Sequence, residues 1–151
     1  MNERIIYAKQ LASHRAFKDH SLNVKFQMSN RDRYDLEERT ALFGEAVIEF
    51  AKSLPRNVVN MELVKQIIRS GTSIGANYME ADGAESKKDF RHKIAICKKE
   101  AKETKHWLRM IVKANPDRKE DCKVLWQEAQ ELTLIFSAIL SSSRRDKKSE
   151  E

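Results

Sequence analysis

Little in this 151-residue sequence punctuates the chain, which has 4 glycines and 2 prolines. A β-sandwich or barrel needs a turn about every 8–12 residues, built on Gly, Pro, Asn or Asp. An all-β fold is therefore excluded, and long helices are expected. Cysteine is scarce too, with only Cys97 and Cys122. Two thiols make no disulfide framework and fit a reducing cytoplasm. No stretch approaches the roughly 18 apolar residues of a membrane span, so no membrane contact is expected. The start, MNERIIYAKQLASHRAF, lacks the apolar run of about 7–15 residues that a signal peptide needs. Walker loops, zinc-ligand clusters and dinucleotide fingerprints are all missing, so no cofactor is expected. Charge is not balanced: Lys+Arg number 29 against 23 Asp+Glu, a net charge of +6. That permits polyanion binding without requiring it.

What is there is helical period. Residues 1–34 hold seven bases and three acids with no sustained period, and are expected to be a poorly ordered basic extension. Met28 stands just before the periodic part, so residues 1–27 are either a basic arm or sequence upstream of a start at Met28. From Asp35 the pattern is clear. Asp35 and Glu38 form a capping box, and Leu36, Phe43, Val47, Phe50 and Leu54 make an apolar stripe. Pro55 and Asn57 end this first helix. A second helix is expected from about Asn60 to Ala81, with Met61, Val64, Ile67, Ile68, Ile74 and Tyr78 on one face, ended by Asp82-Gly83. Ser86 caps a third, with Asp89 at the box position and the seam Phe90, Ile94, Cys97, Ala101, Thr104, Leu108, Ile111 in heptad steps. Asn115-Pro116 breaks it. A fourth helix from near Asp117 carries Cys122, Leu125, Ala129, Leu132, Phe136 and Ile139, and fades into a polar tail. The chain thus reads as one all-α domain over 35–143, an antiparallel up-down-up-down four-helix bundle, with residues 144–151 a disordered tail. The two cysteines would stand at heights differing by roughly 18 Å in such a bundle, too far for the Cα separation of about 7 Å that a disulfide tolerates. Both are expected as core thiols.

Two catalytic-looking motifs do not survive their context. Gly71-Thr72-Ser73-Ile74-Gly75 matches G-x-S-x-G, but the nucleophile elbow needs a strand before the serine, and LVKQIIRS carries helical period instead. Gly71 and Gly75, four apart, are better explained as letting a neighbouring helix approach closely. Glu103-x-x-His106 and the weaker Asp89-x-x-His92 match half of a di-iron site, but both lie on the third helix, roughly 21 Å apart. Neither an enzyme nor a metal site is expected.

The charge is uneven. Residues 82–114 carry ten bases and five acids, or +5, whereas residues 35–81 are −2 and residues 115–151 are −1. Lys88, Arg91, Lys98, Lys102, Lys105 and Arg109 follow one stripe of the third helix, with Lys87 and Lys113 extending it. Such a stripe suits phosphates, each contact releasing counterions; the competing readings are a solvated face with acids of a neighbouring helix nearby, or a face that meets an acidic protein partner. No aromatic interleaving supports base stacking, so binding is expected to follow the nucleic-acid backbone and not the base sequence. Ile96, Trp107 and Met110 form a side stripe off the seam, and Trp126, with Leu134 and Ile135, lies beside the fourth seam. Apolar faces wider than one core needs suggest subunit packing. Arg69, Ser73, Asn77 and Glu80 share one face of the second helix, and are expected to form a polar clasp that bonds across to a partner helix and fixes bundle or subunit register.

The segments Arg69-Ser70-Gly71-Thr72-Ser73-Ile74-Gly75-Ala76-Asn77-Tyr78-Met79-Glu80-Ala81, Ser86-Lys87-Lys88-Asp89-Phe90 and Glu100-Ala101-Lys102-Glu103-Thr104-Lys105-His106-Trp107-Leu108 resemble the four-helix-bundle family of 23S rRNA intervening-sequence proteins. That family includes relatives of the accessory variability determinant of diversity-generating retroelements. The resemblance covers roughly residues 34–143. It implies an antiparallel bundle assembled into a homopentamer, without enzymatic activity. In the retroelement relatives it implies a basic surface for nucleic acid and a reverse transcriptase as partner.

Overall fold

The computed structural model describes residues 35–148, and the expectations for residues 1–34 lie outside them. Four helices follow one another: α1 Leu36–Lys52, α2 Val58–Asp82, α3 Lys87–Ala114 and α4 Lys119–Lys148, with a 3-10 turn at Pro116–Arg118 before the last. There is no strand among the described residues. Side-chain caps set three of the starts. The Glu38 amide donates to Asp35 Oδ1, the Asn60 amide to Asn57 Oδ1 and the Asp89 amide to Ser86 Oγ, each satisfying a donor that the first turn leaves open. Asn57 therefore starts α2 as well as closing off α1, so α2 begins at Val58, two residues earlier than the apolar pattern indicates. No glycine or proline follows Pro116, and α4 accordingly continues as helix to Lys148, through the first residues of the segment 144–151 expected to be disordered.

The heptad seams are the core. Ile94, Cys97, Ala101, Thr104, Leu108 and Ile111 of α3 are buried, as are Cys122, Leu125, Ala129, Leu132 and Phe136 of α4. Met61 departs from its expected place on the inner face of α2 and is 56% exposed. The buried row is Asn60, Ile67, Ile74 and Ala81, spaced by seven. Met61 is one residue on, about 100° round the helix, and Asn60 takes the inner position.

Contacts between neighbouring helices run in opposite chain order. On α2 and α3, Asn60 meets Asn115, Ser70 meets Thr104 and Glu80 meets Lys93. On α1 and α2, a Cβ on Gly75 would stand 3.4 Å from the Thr40 carbonyl, and one on Gly71 only 2.9 Å from Val47 Cγ1. These glycines bring two backbones together, and Ser73 between them lies in mid-helix, donating its hydroxyl to Arg69 O at 2.6 Å. At the far end of α1, Arg118 donates to Ser53 O at 3.0 Å and to Ser53 Oγ at 2.8 Å, and its guanidinium lies 5.2 Å from the Phe50 ring centre.

Candidate functional site

The flanks of α3 divide by chemistry. Rotating 100° from its seam in one direction gives Lys93, Ile96, Glu100, Glu103, Trp107 and Met110; the other direction gives Arg91, Lys98, Lys102, Lys105 and Arg109. The first flank meets α2. Lys93 pairs with Glu80, and Arg69 pairs with Glu103 and, at 3.5 Å, with Glu100. Hydrogen bonding to Glu80 raises the Lys93 ammonium above its ordinary value. Trp107 Nε1 donates to Glu103 Oε1 at 3.1 Å, and the indole packs against the core.

Two members of the polar clasp thus reach across to α3, Arg69 and Glu80. The other two do not. Ser73 bonds Arg69 O, and Asn77 Nδ2 donates to Ser73 O at 2.8 Å, both within α2. Small polar side chains in mid-helix commonly turn back on the preceding carbonyls, and these do. The buried polar ties between the helices lie elsewhere. Thr104 Oγ1 donates to Ser70 Oγ at 2.9 Å, and Asn60 and Asn115 exchange amide bonds at 2.9 and 2.8 Å. Arg39 of α1 binds Glu128 and Glu131 of α4. Burial lowers the Arg39 pKa but is outweighed by these carboxylates, and the guanidinium ends above its ordinary value.

The second flank faces α4 and carries the lysine stripe. Lys87, Lys88, Lys102 and Arg109 are exposed, and Arg91, Lys98 and Lys105 half-buried. Arg91 Nη1 donates to Ser143 O at 3.0 Å, and Lys105 Nζ donates to Gln130 Oε1, so both bond neutral oxygens. Among the described residues, no carboxylate lies within salt-bridge distance of Lys98, Lys102 or Arg109. Lys98, Lys102 and Arg109 therefore keep their charge on a helix that holds ten bases and three acids, while α1 and α2 are −2 and −1.

An aromatic does stand on this stripe, supplied by α4. Trp126 is 42% exposed, and Lys105 Nζ lies 5.2 Å from its ring centre. Burial, and then the charge of Lys102, lower the Lys105 pKa. Trp126 is thereby separated from Ile96, Trp107 and Met110, which occupy the α2 flank. The four side chains expected at a subunit interface do not form one patch. The signal for Trp126 was the register: folding α4 back on α3 pairs Lys105 with Gln130, one helical turn beyond Trp126.

Cys97 and Cys122 are buried thiols, each pushed up to about 12 by burial. Among the described residues, no three His, Cys, Asp or Glu side chains gather where they could hold a metal ion, and no helix is long and apolar enough to cross a membrane.

Comparison with known proteins places this architecture. The family model described as 23S rRNA-intervening sequence protein matches residues 33–138. Among solved structures, the chain is similar to a protein with unknown function from the S23 ribosomal protein family of Bacteroides thetaiotaomicron. The two share 30% identity with a TM-score of 0.62, over 69% of this chain and 96% of that one. No curated protein matches the chain.

Proposed function

The chain belongs to the 23S rRNA-intervening sequence protein family, and on that premise we propose that it is a non-catalytic, oligomeric bundle of the cytoplasm that binds nucleic acid through the basic face of α3. The observation that carries this is the unneutralised stripe of Lys98, Lys102 and Arg109. Lys87, Lys88, Arg91 and Lys105 extend it along one side of the molecule. Like charges at i, i+3 or i+4 weaken a helix by about 0.2–0.5 kcal/mol per pair, and Lys98–Lys102 and Lys102–Lys105 are such pairs. A phosphate backbone relieves that repulsion and releases counterions. The opposite-order contacts support an antiparallel up-down-up-down topology. Assembly is supported by apolar surface that the bundle leaves outside: Val58, Met61 and Met79 are 82%, 56% and 60% exposed. Ile96, Trp107 and Met110, half-buried on the α2 flank of α3, add apolar surface off the core seam, and the resemblance to the retroelement accessory proteins supports a pentamer and a reverse transcriptase partner.

Direct competition tests the binding claim. An RNA or DNA oligonucleotide held by the protein should resist displacement by polyglutamate at equal charge. Retention of polyglutamate with no retention of nucleic acid would favour the acidic-protein scaffold instead. Light scattering should report about five times 17.6 kDa, and a monomer mass would remove the assembly.

A further inference from the structure

We infer that Trp126 is a stacking platform for an unpaired nucleobase, so that the α3–α4 face takes single-stranded nucleic acid in preference to duplex. This rests on the reading of that face as a polyanion site.

A half-exposed indole among lysines is not placed there by the core. Leu125 and Ala129, the seam residues on either side, already fill the α4 contribution at that level and are buried. One cation lies on the ring, and two more share its side of the bundle by register and spacing. Lys105 Nζ lies over it at 5.2 Å. The register that pairs Arg91 with Ser143 and Lys105 with Gln130 sets Arg109 level with Trp126, and Lys123 precedes it by three residues on the same flank of α4. Lys98 and Arg109 stand 11 residues apart on α3, roughly 16 Å, room for several consecutive phosphates.

A duplex offers such a face its phosphates, while its base faces stay stacked inside. An unpaired strand can offer both, and stacking on an aromatic is open to any base because each has a π-face. Lys105 is suited to change partners. Its ammonium is partly desolvated beside Lys102 and is held only by an amide oxygen and the indole face. A phosphate is the stronger partner, and as the amine turns to it, the ring face that it covered becomes available to the adjoining base.

The experiment titrates the full-length protein with oligouridylate, oligodeoxythymidylate, a duplex of equal charge and inorganic polyphosphate, following affinity and tryptophan emission. Both single strands should quench emission, polyphosphate should bind without quenching, and the quench should vanish in Trp126→Phe, whose remaining indole, Trp107, lies on the α2 flank. Trp126→Ala should lose about 5- to 150-fold in affinity for single strands, the equivalent of one stacked base, with polyphosphate affinity unchanged and Trp126→Phe retaining most of the binding. Equal effects of Trp126→Ala on oligouridylate and polyphosphate, or no effect on either, overturn the stacking role and leave the polyanion reading standing. A Trp126 emission already shielded from iodide in the free assembly also overturns it, since a neighbouring subunit then covers the ring. Failure of all four ligands to bind refutes the polyanion reading itself.

Discussion

Arg39 on α1 and Glu128 on α4 form a two-point ion pair, at 2.6 and 2.9 Å, with side chains only 3% and 5% exposed. The pair ties the first helix to the last, and Glu131 adds a third bond at 2.7 Å. Removing one partner strands a buried charge, which costs about 3–5 kcal/mol. Arg39→Met, which leaves the buried Glu128 carboxylate unpaired, should lower the unfolding free energy in urea by that measure; Glu128→Leu should cost less, because Glu131 still pairs with Arg39, and the double variant should recover most of the Arg39→Met loss. Additive losses in the double variant would contradict the pairing.

Close packing of α1 on α2 is tested at the glycines. An added Cβ at Gly71 meets Val47 at 2.9 Å, whereas at Gly83 it meets only the Met79 carbonyl at an ordinary 3.8 Å. Gly71→Ala should destabilise by about 1–3 kcal/mol through overpacking, and Gly83→Ala should be nearly neutral in the same unfolding measurement. Val47→Ala in the Gly71→Ala background should restore part of the loss.

The two thiols make stability fall in alkali. Their folded pKa values, raised from 9.0 to about 12, mean that the unfolded chain releases protons first. The contribution is fully present below pH 9.0 and is lost as pH rises towards 12, at up to about 1.4 kcal/mol per pH unit for each thiol. Denaturant midpoints measured across this range should decline, and Cys97→Ala with Cys122→Ala should flatten the decline while lowering stability at neutral pH.

Much of this was legible in the residues, and what was not shares a cause. Heptad steps locate the α3 seam because a helix repeats one face every seven residues, and Ile94, Cys97, Thr104 and Leu108 are indeed buried. Asp35 and Ser86 announce their helix starts through capping chemistry, and Gly71 its close neighbour. Polarity hides Asn60 and Arg39, whose burial depends on partners 55 and 89 residues away. Ser73 and Asn77 share a face in the sequence, but their own backbone carbonyls are nearer than any partner helix. Trp126 sits off its own helix's seam and acquires its setting only from the phase between α3 and α4, which no single-helix pattern encodes.

The central claim, that the α3 stripe holds a phosphate backbone, is tested most directly by the salt dependence of nucleic-acid binding in the wild type and in Lys98→Gln/Lys102→Gln/Arg109→Gln. Each lost phosphate contact removes roughly 0.7–0.9 from the slope of log affinity against log salt. The triple variant should therefore bind more weakly with a slope smaller by about two, at unchanged helicity. An identical slope and affinity in the two proteins would contradict the account.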